Sequence, residues 1–224
     1  MKLDTALEKK RAQCRKKFLH YFPKGFADEK YLDWERNYKW EAHQSWNETL
    51  NQKEFKSLLR TKQFHEVGKR AANLESKTNL LFSFEKMALR DALKPAHGAE
   101  KFAHGLYDYI YGSAPYKKRF LKFTDCLAQL PRKQTRVLTW TLQTVFGFIA
   151  NPEQHIFMKP RVTQVAAENY GYDFLYQSRP NWETYHSLLS FAELIRDDVK
   201  DLKPRDFIDL QSFIWVLGSD EYAR

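Results

Sequence analysis

The chain has 224 residues, 43% of them hydrophobic and 16% aromatic. That excludes a disordered chain, which is starved of both classes, and allows one domain or two small packed ones. No stretch approaches the roughly 18 uninterrupted apolar residues of a membrane span. The opening MKLDTALEKK also lacks the apolar core of a secretory signal, so a cytoplasmic protein without a membrane partner is expected. The net charge of +9 is uneven. Residues 1–25 hold eight Lys or Arg against two Asp or Glu, residues 115–136 hold seven against one, and the rest is slightly acidic.

Few glycines and prolines punctuate the chain, and apolar residues recur three or four apart between them, which predicts a mainly α, compact multi-helix globular protein with at most minor strand content. A first helix, Leu3 to about Tyr21, has one wet, basic side. The next, Asp28 to about Leu50, places Tyr31, Trp34 and Tyr38 on one stripe, with Trp40 and Trp46 off it. Asn51 and Glu54 have the spacing of a capping box, ahead of a helix carrying Phe55, Leu58 and Leu59 and a short one at 64–74. From Asn79 to Leu93 runs a wide apolar face that includes Phe84 and Met87. Glu85 and Asp91 in that helix are expected to pair with an internal Lys or Arg.

A helix from about Gly98 to Tyr111 breaks at Gly112-Ser-Ala-Pro115, the best boundary for two helical subdomains, 1–112 and 113–224, within what is otherwise one continuous domain. The second basic helix comes next, at about Tyr116–Leu130. Val137–Ile149 is apolar all round, which favours a buried helix over a strand. His155–Met158 and Tyr172–Tyr176 are short extended candidates on either side of a helix that opens at Pro160. Two more helices are expected at about Trp182–Leu202 and Pro204–Gly218, the last buried.

Cys14 and Cys126 offer neither metal spacing nor a disulfide framework and read as reduced thiols. His104 and Asp108 lie four apart, a spacing open to a metal or hydrogen-bonded pair, but the carboxylate and histidine groupings do not recur as in a di-metal bundle. No nucleotide-loop, hydrolase or zinc-protease signature occurs, so no cofactor, metal or catalytic residue is assigned. Aromatics beside basic residues, Trp34 to Trp46 and Tyr107 to Phe123, could stack on bases, although stripes at helical spacing are more often core.

Three blocks, Asn79–Asp91, Phe148–Pro160 and Pro204–Gly218, resemble a family of bacterial hypothetical proteins over nearly the whole chain, a resemblance that implies no activity. More faintly, the layout from Leu130 to Gly218 resembles the helix-hairpin-helix DNA glycosylases, in Leu130-Pro131, Phe146-Gly147 and Val162-x-x-Val165. Arg132-Lys133-Gln134 stands where that family has hairpin glycines, and Lys159 where it has its catalytic aspartate.

The charge pattern points to DNA or RNA as partner, bound largely without sequence specificity. One phosphate-tracking face would comprise Lys117, Lys118, Arg119, Lys122, Arg132, Lys133 and Arg136, joined by Lys159 and Arg161. A second contact would come from Lys9, Lys10, Lys16 and Lys17. The alternatives are a protein-interaction subunit, since Trp, Tyr and Arg are favoured interface anchors, and an enzyme acting on nucleic acid.

Overall fold

The structure, a computed structural model, describes residues 2–223, with side chains from Thr5 onward. The elements are α1 (Lys2–Tyr21), α2 (Glu29–Tyr31), a π-helical turn (Leu32–Arg36), α3 (Asn37–Thr49), α4 (Gln52–Arg60), α5 (Phe64–Ser76) and α6 (Ser83–Ala92). They continue with α7 (Ala96–Tyr111), α8 (Tyr116–Ala128), α9 (Trp140–Ala150), α10 (Pro160–Tyr170), α11 (Trp182–Asp198) and α12 (Phe207–Gly218). Among the described residues there is no strand, and both extended candidates are irregular connections. No helix there is long and apolar enough to cross a membrane.

Capping chemistry sets many of the boundaries. Thr139, Asn181 and Asp206 accept from first-turn N–H groups of α9, α11 and α12. Pro160 opens α10, and Gly171 closes it at φ 75°, where a side chain would be strained. At α4 the Asn51 carboxamide accepts from the Glu54 N–H at 3.1 Å, but the Glu54 carboxylate turns to Arg70 at 2.9 Å, so the expected box is only half formed.

Every residue of α9 is buried, as is all of α12 except Trp215 and Gly218. These two apolar helices are the axes of a compact all-α bundle. α9 packs on α3, α5, α7 and α8, whereas α12 packs on α1, α10, α11 and the π turn. Phe18 of α1 lies with its ring centroid 4.9 Å from those of Phe26 and Phe213, and each such buried ring contributes about 1.5–3 kcal/mol.

Helices α10 and α12 approach so closely that a Cβ on Gly218 would lie 2.0 Å from the Val162 carbonyl oxygen. Because the obstacle is backbone, Gly218→Ala is expected to cost about 1–3 kcal/mol. Thermal unfolding checks this, and an unchanged midpoint would show that the helices part freely.

The π turn revises the expected second-helix stripe. One extra residue in the turn rotates the remainder of the helix about its axis, so the buried side is Tyr31, Glu35, Arg36, Lys39, Ala42 and Trp46, while Trp34 faces water. The charges this turn buries are all paired. Arg36 donates from Nη1 to Asp206 (2.9 Å) and Asp209 (2.8 Å) and from Nη2 to Asp206 (2.7 Å). Lys39 donates to Glu35 (3.2 Å) and Ser212 (2.9 Å), and the Tyr222 hydroxyl donates to Glu35 (2.6 Å).

Candidate nucleic-acid interface

The basic residues picked out by charge fall into three groups. On α1, Lys9, Lys10 and Lys16 are exposed and Lys17 is half-buried; Lys10 donates to the Glu168 carbonyl at 3.3 Å. On α8, Lys117, Lys118 and Lys122 are exposed, with Lys117 3.9 Å from Glu183. These two helices pack on different partners, α1 on α10 and α12, α8 on α7, α9 and α11.

Arg119 is a correction. It is buried, and its guanidinium donates to the carbonyls of Tyr109 (2.5 Å), Ile110 (3.1 Å) and Ala114 (3.0 Å) and to Gln154 (3.2 Å). It closes the C-terminal end of α7, where the helix leaves carbonyls without partners, and presents no charge to a phosphate.

In the third group, Arg132, Arg136, Lys159 and Arg161 line adjoining concavities that share wall residues and form one groove, with Lys133 to its side. At one end, a concavity of about 500 Å³ is lined by Arg132, Arg136 and Arg179. Arg132 Nε donates to the Gln134 carbonyl at 3.1 Å. The guanidiniums of Arg136 and Arg179 have no hydrogen-bond or ion-pair partner among the described residues.

Leu138 and Ser178 also line the next section, about 640 Å³ and largely apolar, walled by Phe82, Phe84, Trp140, Tyr176 and Trp215, with Lys159 and Arg161 and the acidic Glu85, Asp220 and Glu221 also in its lining. Phe82, Lys159, Trp215 and Glu221 then continue into a third section of about 300 Å³ that also holds Trp34 and Gln211. Lys133 lines a separate, smaller recess of about 110 Å³ beside Phe84.

The groove wall is aromatic and accessible. Phe82 and Phe84 are each 51% exposed and stack on one another at 5.5 Å, and Trp34 is 53% exposed. Phe84 and Met87 therefore leave the apolar face assigned to them, because α6 begins only at Ser83 and turns both outward. Trp215 departs from the buried-helix expectation in the same way: it is partly exposed, with its Nε1 donating to Glu221 at 3.2 Å.

Below the wall, Lys159 Nζ donates to the Leu80 carbonyl at 3.0 Å and lies 3.6 Å from the Phe82 ring centroid. Burial pulls its pKa down from the usual lysine value, against the opposing pull of Glu85 and Glu75. Glu85 corrects the internal ion-pair expectation. Its carboxylate accepts from the Thr139 and Thr141 hydroxyls and from the Phe82 N–H at 3.0 Å, so neutral donors meet its charge. Asp91 pairs locally with Lys94 at 2.7 Å.

Charge runs in the sequence did not reveal Arg179, Gln211, Phe82 or Tyr176. Arg179 is an isolated charge in Ser-Arg-Pro, and only the return of that loop beside the α8–α9 connection brings it to Arg132 and Arg136. His104 packs against Phe64 at 5.3 Å, and among the described residues no three His, Cys, Asp or Glu gather to hold a metal. Comparison with protein-family models, with curated proteins and with solved structures finds no match.

Proposed function

We propose that the protein binds single-stranded nucleic acid along this groove, without catalysis and largely without reading sequence through its phosphate contacts. The observation that carries the reading is that Arg132, Arg136 and Arg179 line a concavity opening directly onto exposed, stackable rings. Guanidiniums on phosphates and aromatic faces under bases are the two components of single-strand binding. The α8 lysines and the α1 lysines add long-range attraction from outside the groove.

Titration of labelled 12-nucleotide single strands and duplexes tests it. Three arginine contacts give a log–log salt slope near −2 on single strands, so affinity falls about twentyfold between about 50 and 200 mM salt. Reversing Arg136 and Arg179 to glutamate should weaken binding and flatten that slope more than reversing Lys117, Lys118 and Lys122. No binding of any oligonucleotide at tens of micromolar protein overturns the reading. It would leave a protein partner seated on the Phe82, Phe84 and Met87 ridge, 51%, 51% and 58% exposed, as the better one.

A further inference from the structure

The geometry points to a phosphate-monoester site in the arginine concavity at the end of the groove, filled by the terminal phosphate of a bound strand. The inference rests on the groove reading above and says where along the groove a strand ends. Arg132, Arg136 and Arg179 line this space of about 500 Å³, Ser178 adds a hydroxyl, and no acidic residue belongs to its lining. Like charges gathered without a counter-charge repel, and an anion among them removes that cost. Three guanidiniums outweigh the negative end of the α8 dipole, about half a unit charge, whose Leu127 and Ala128 form part of the wall.

Backbone contacts hold Arg179 in place before any ligand arrives. Trp140 Nε1 donates to the Gln177 carbonyl at 2.8 Å, the Gln177 N–H to the Thr184 hydroxyl at 3.0 Å, and the Asn181 carboxamide to the Arg179 carbonyl at 2.9 Å. The loop that carries the arginine is therefore tied to α9 and α11 and loses little freedom on binding.

Position and charge select a terminal phosphate over a bridging one. The concavity meets the aromatic section at Leu138 and Ser178 and shares no residue with the section beyond, so it is the end of the series. Those two sections hold carboxylates, Glu85, Asp220 and Glu221 in one and Glu35 and Glu221 in the other, so extra negative charge is favoured at the arginine end. A monoester carries about 1.5 to 2 negative charges at pH 7 and three acceptor oxygens, whereas a diester carries a single charge. Guanidinium forks take such oxygens in pairs. Arg136 and Arg179 match a monoester charge for charge, which leaves Arg132 for the diester that follows.

The test titrates the full chain with dT12 bearing a phosphate at its 5′ or 3′ end, with the same strands capped there as the methyl diester, and with 5′-TMP. One of the two phosphate-ended strands should bind about tenfold more tightly than its capped form at about pH 7.5. The monoester takes up a proton near pH 6, and arginine is the one ionisable type in the lining, so that ratio should fall to about twofold at pH 5. Arg179→Gln, at an exposed position, should remove most of the ratio with the thermal midpoint unchanged. Lys122→Gln, outside the groove, should weaken capped and uncapped strands alike.

Equal binding of capped and uncapped strands at both ends overturns the end site and leaves the groove standing. A ratio that survives at pH 5 or in Arg179→Gln does the same. Binding of 5′-TMP with no strand bound overturns the groove and makes a free nucleotide the occupant of the monoester site. Binding of neither overturns both.

Discussion

Replacing Asp209 by alanine is expected to destabilise the protein by about 3–5 kcal/mol, the usual cost of stranding one partner of a buried ion pair. Asp209 is fully buried and accepts from the Tyr31 hydroxyl (2.6 Å), from Arg36 Nη1 (2.8 Å), and from the backbone N–H (2.9 Å) and guanidinium of Arg205. Alanine leaves Arg36, itself buried, with Asp206 alone, and leaves a buried phenol without an acceptor. For a chain of this length the loss corresponds to a fall in thermal midpoint of roughly 6–20 °C. Asp209→Asn, which keeps the shape and one acceptor, should fall between the two. Denaturant unfolding of the three proteins measures this, and equal midpoints would show that the pair contributes nothing net.

A second large effect should appear on acidification. His155 is fully buried, and its ring Nδ1 lies 2.8 Å from the Tyr116 hydroxyl and 3.1 Å from that of Tyr109. Burial, reinforced by the nearby Arg119 charge, lowers its pKa to about 3. The tyrosines facing it from α7, α8 and α11 are all pushed upward by burial and stay neutral throughout the acid range. A histidine with a depressed folded pKa takes up its proton more readily when unfolded. The stability it confers is therefore complete above about pH 6.5 and lost as pH falls toward 3, at up to about 1.4 kcal/mol per pH unit. His155→Gln removes the titrating group, so its stability between pH 7 and 4 should decline less steeply than wild type. Parallel profiles would show that the imidazole is not the source.

The helical class and the two buried axes were readable from the sequence because Val137–Ile149 and Pro204–Gly218 have no continuous polar side, and that pattern fixes burial whatever the partners. The π turn was not readable. Periodicity assumes 3.6 residues per turn, so it put Trp34 on one stripe with Tyr31 and gave no hint that Glu35, Arg36 and Lys39 would share the buried side with Tyr31 instead. Arg119 looked like its exposed neighbours because its partners are carbonyls, which every residue has and no sequence pattern marks. At the groove, Arg132, Lys133, Arg136, Lys159 and Arg161 were visible as charge. The aromatic wall and Arg179 were not, because they join that charge only through the return of distant loops.

The Arg36 pair also constrains the order in which the protein is made. Its carboxylates lie 170 and 173 residues further along the chain, so at translation rates of about 5–20 residues per second the arginine waits roughly 10–30 s for them. During that interval Arg36 lacks the two carboxylates that hold it in the folded protein, and burying its guanidinium would be costly. The π turn is therefore expected to complete its docking only after Asp206 and Asp209 have been made, whereas α3 already has α5 and α9 to pack on. A stalled nascent chain that ends before Asp206 leaves Tyr31 without its hydrogen-bond acceptor and Phe18 without Phe213, an aromatic surface for chaperones to recognise.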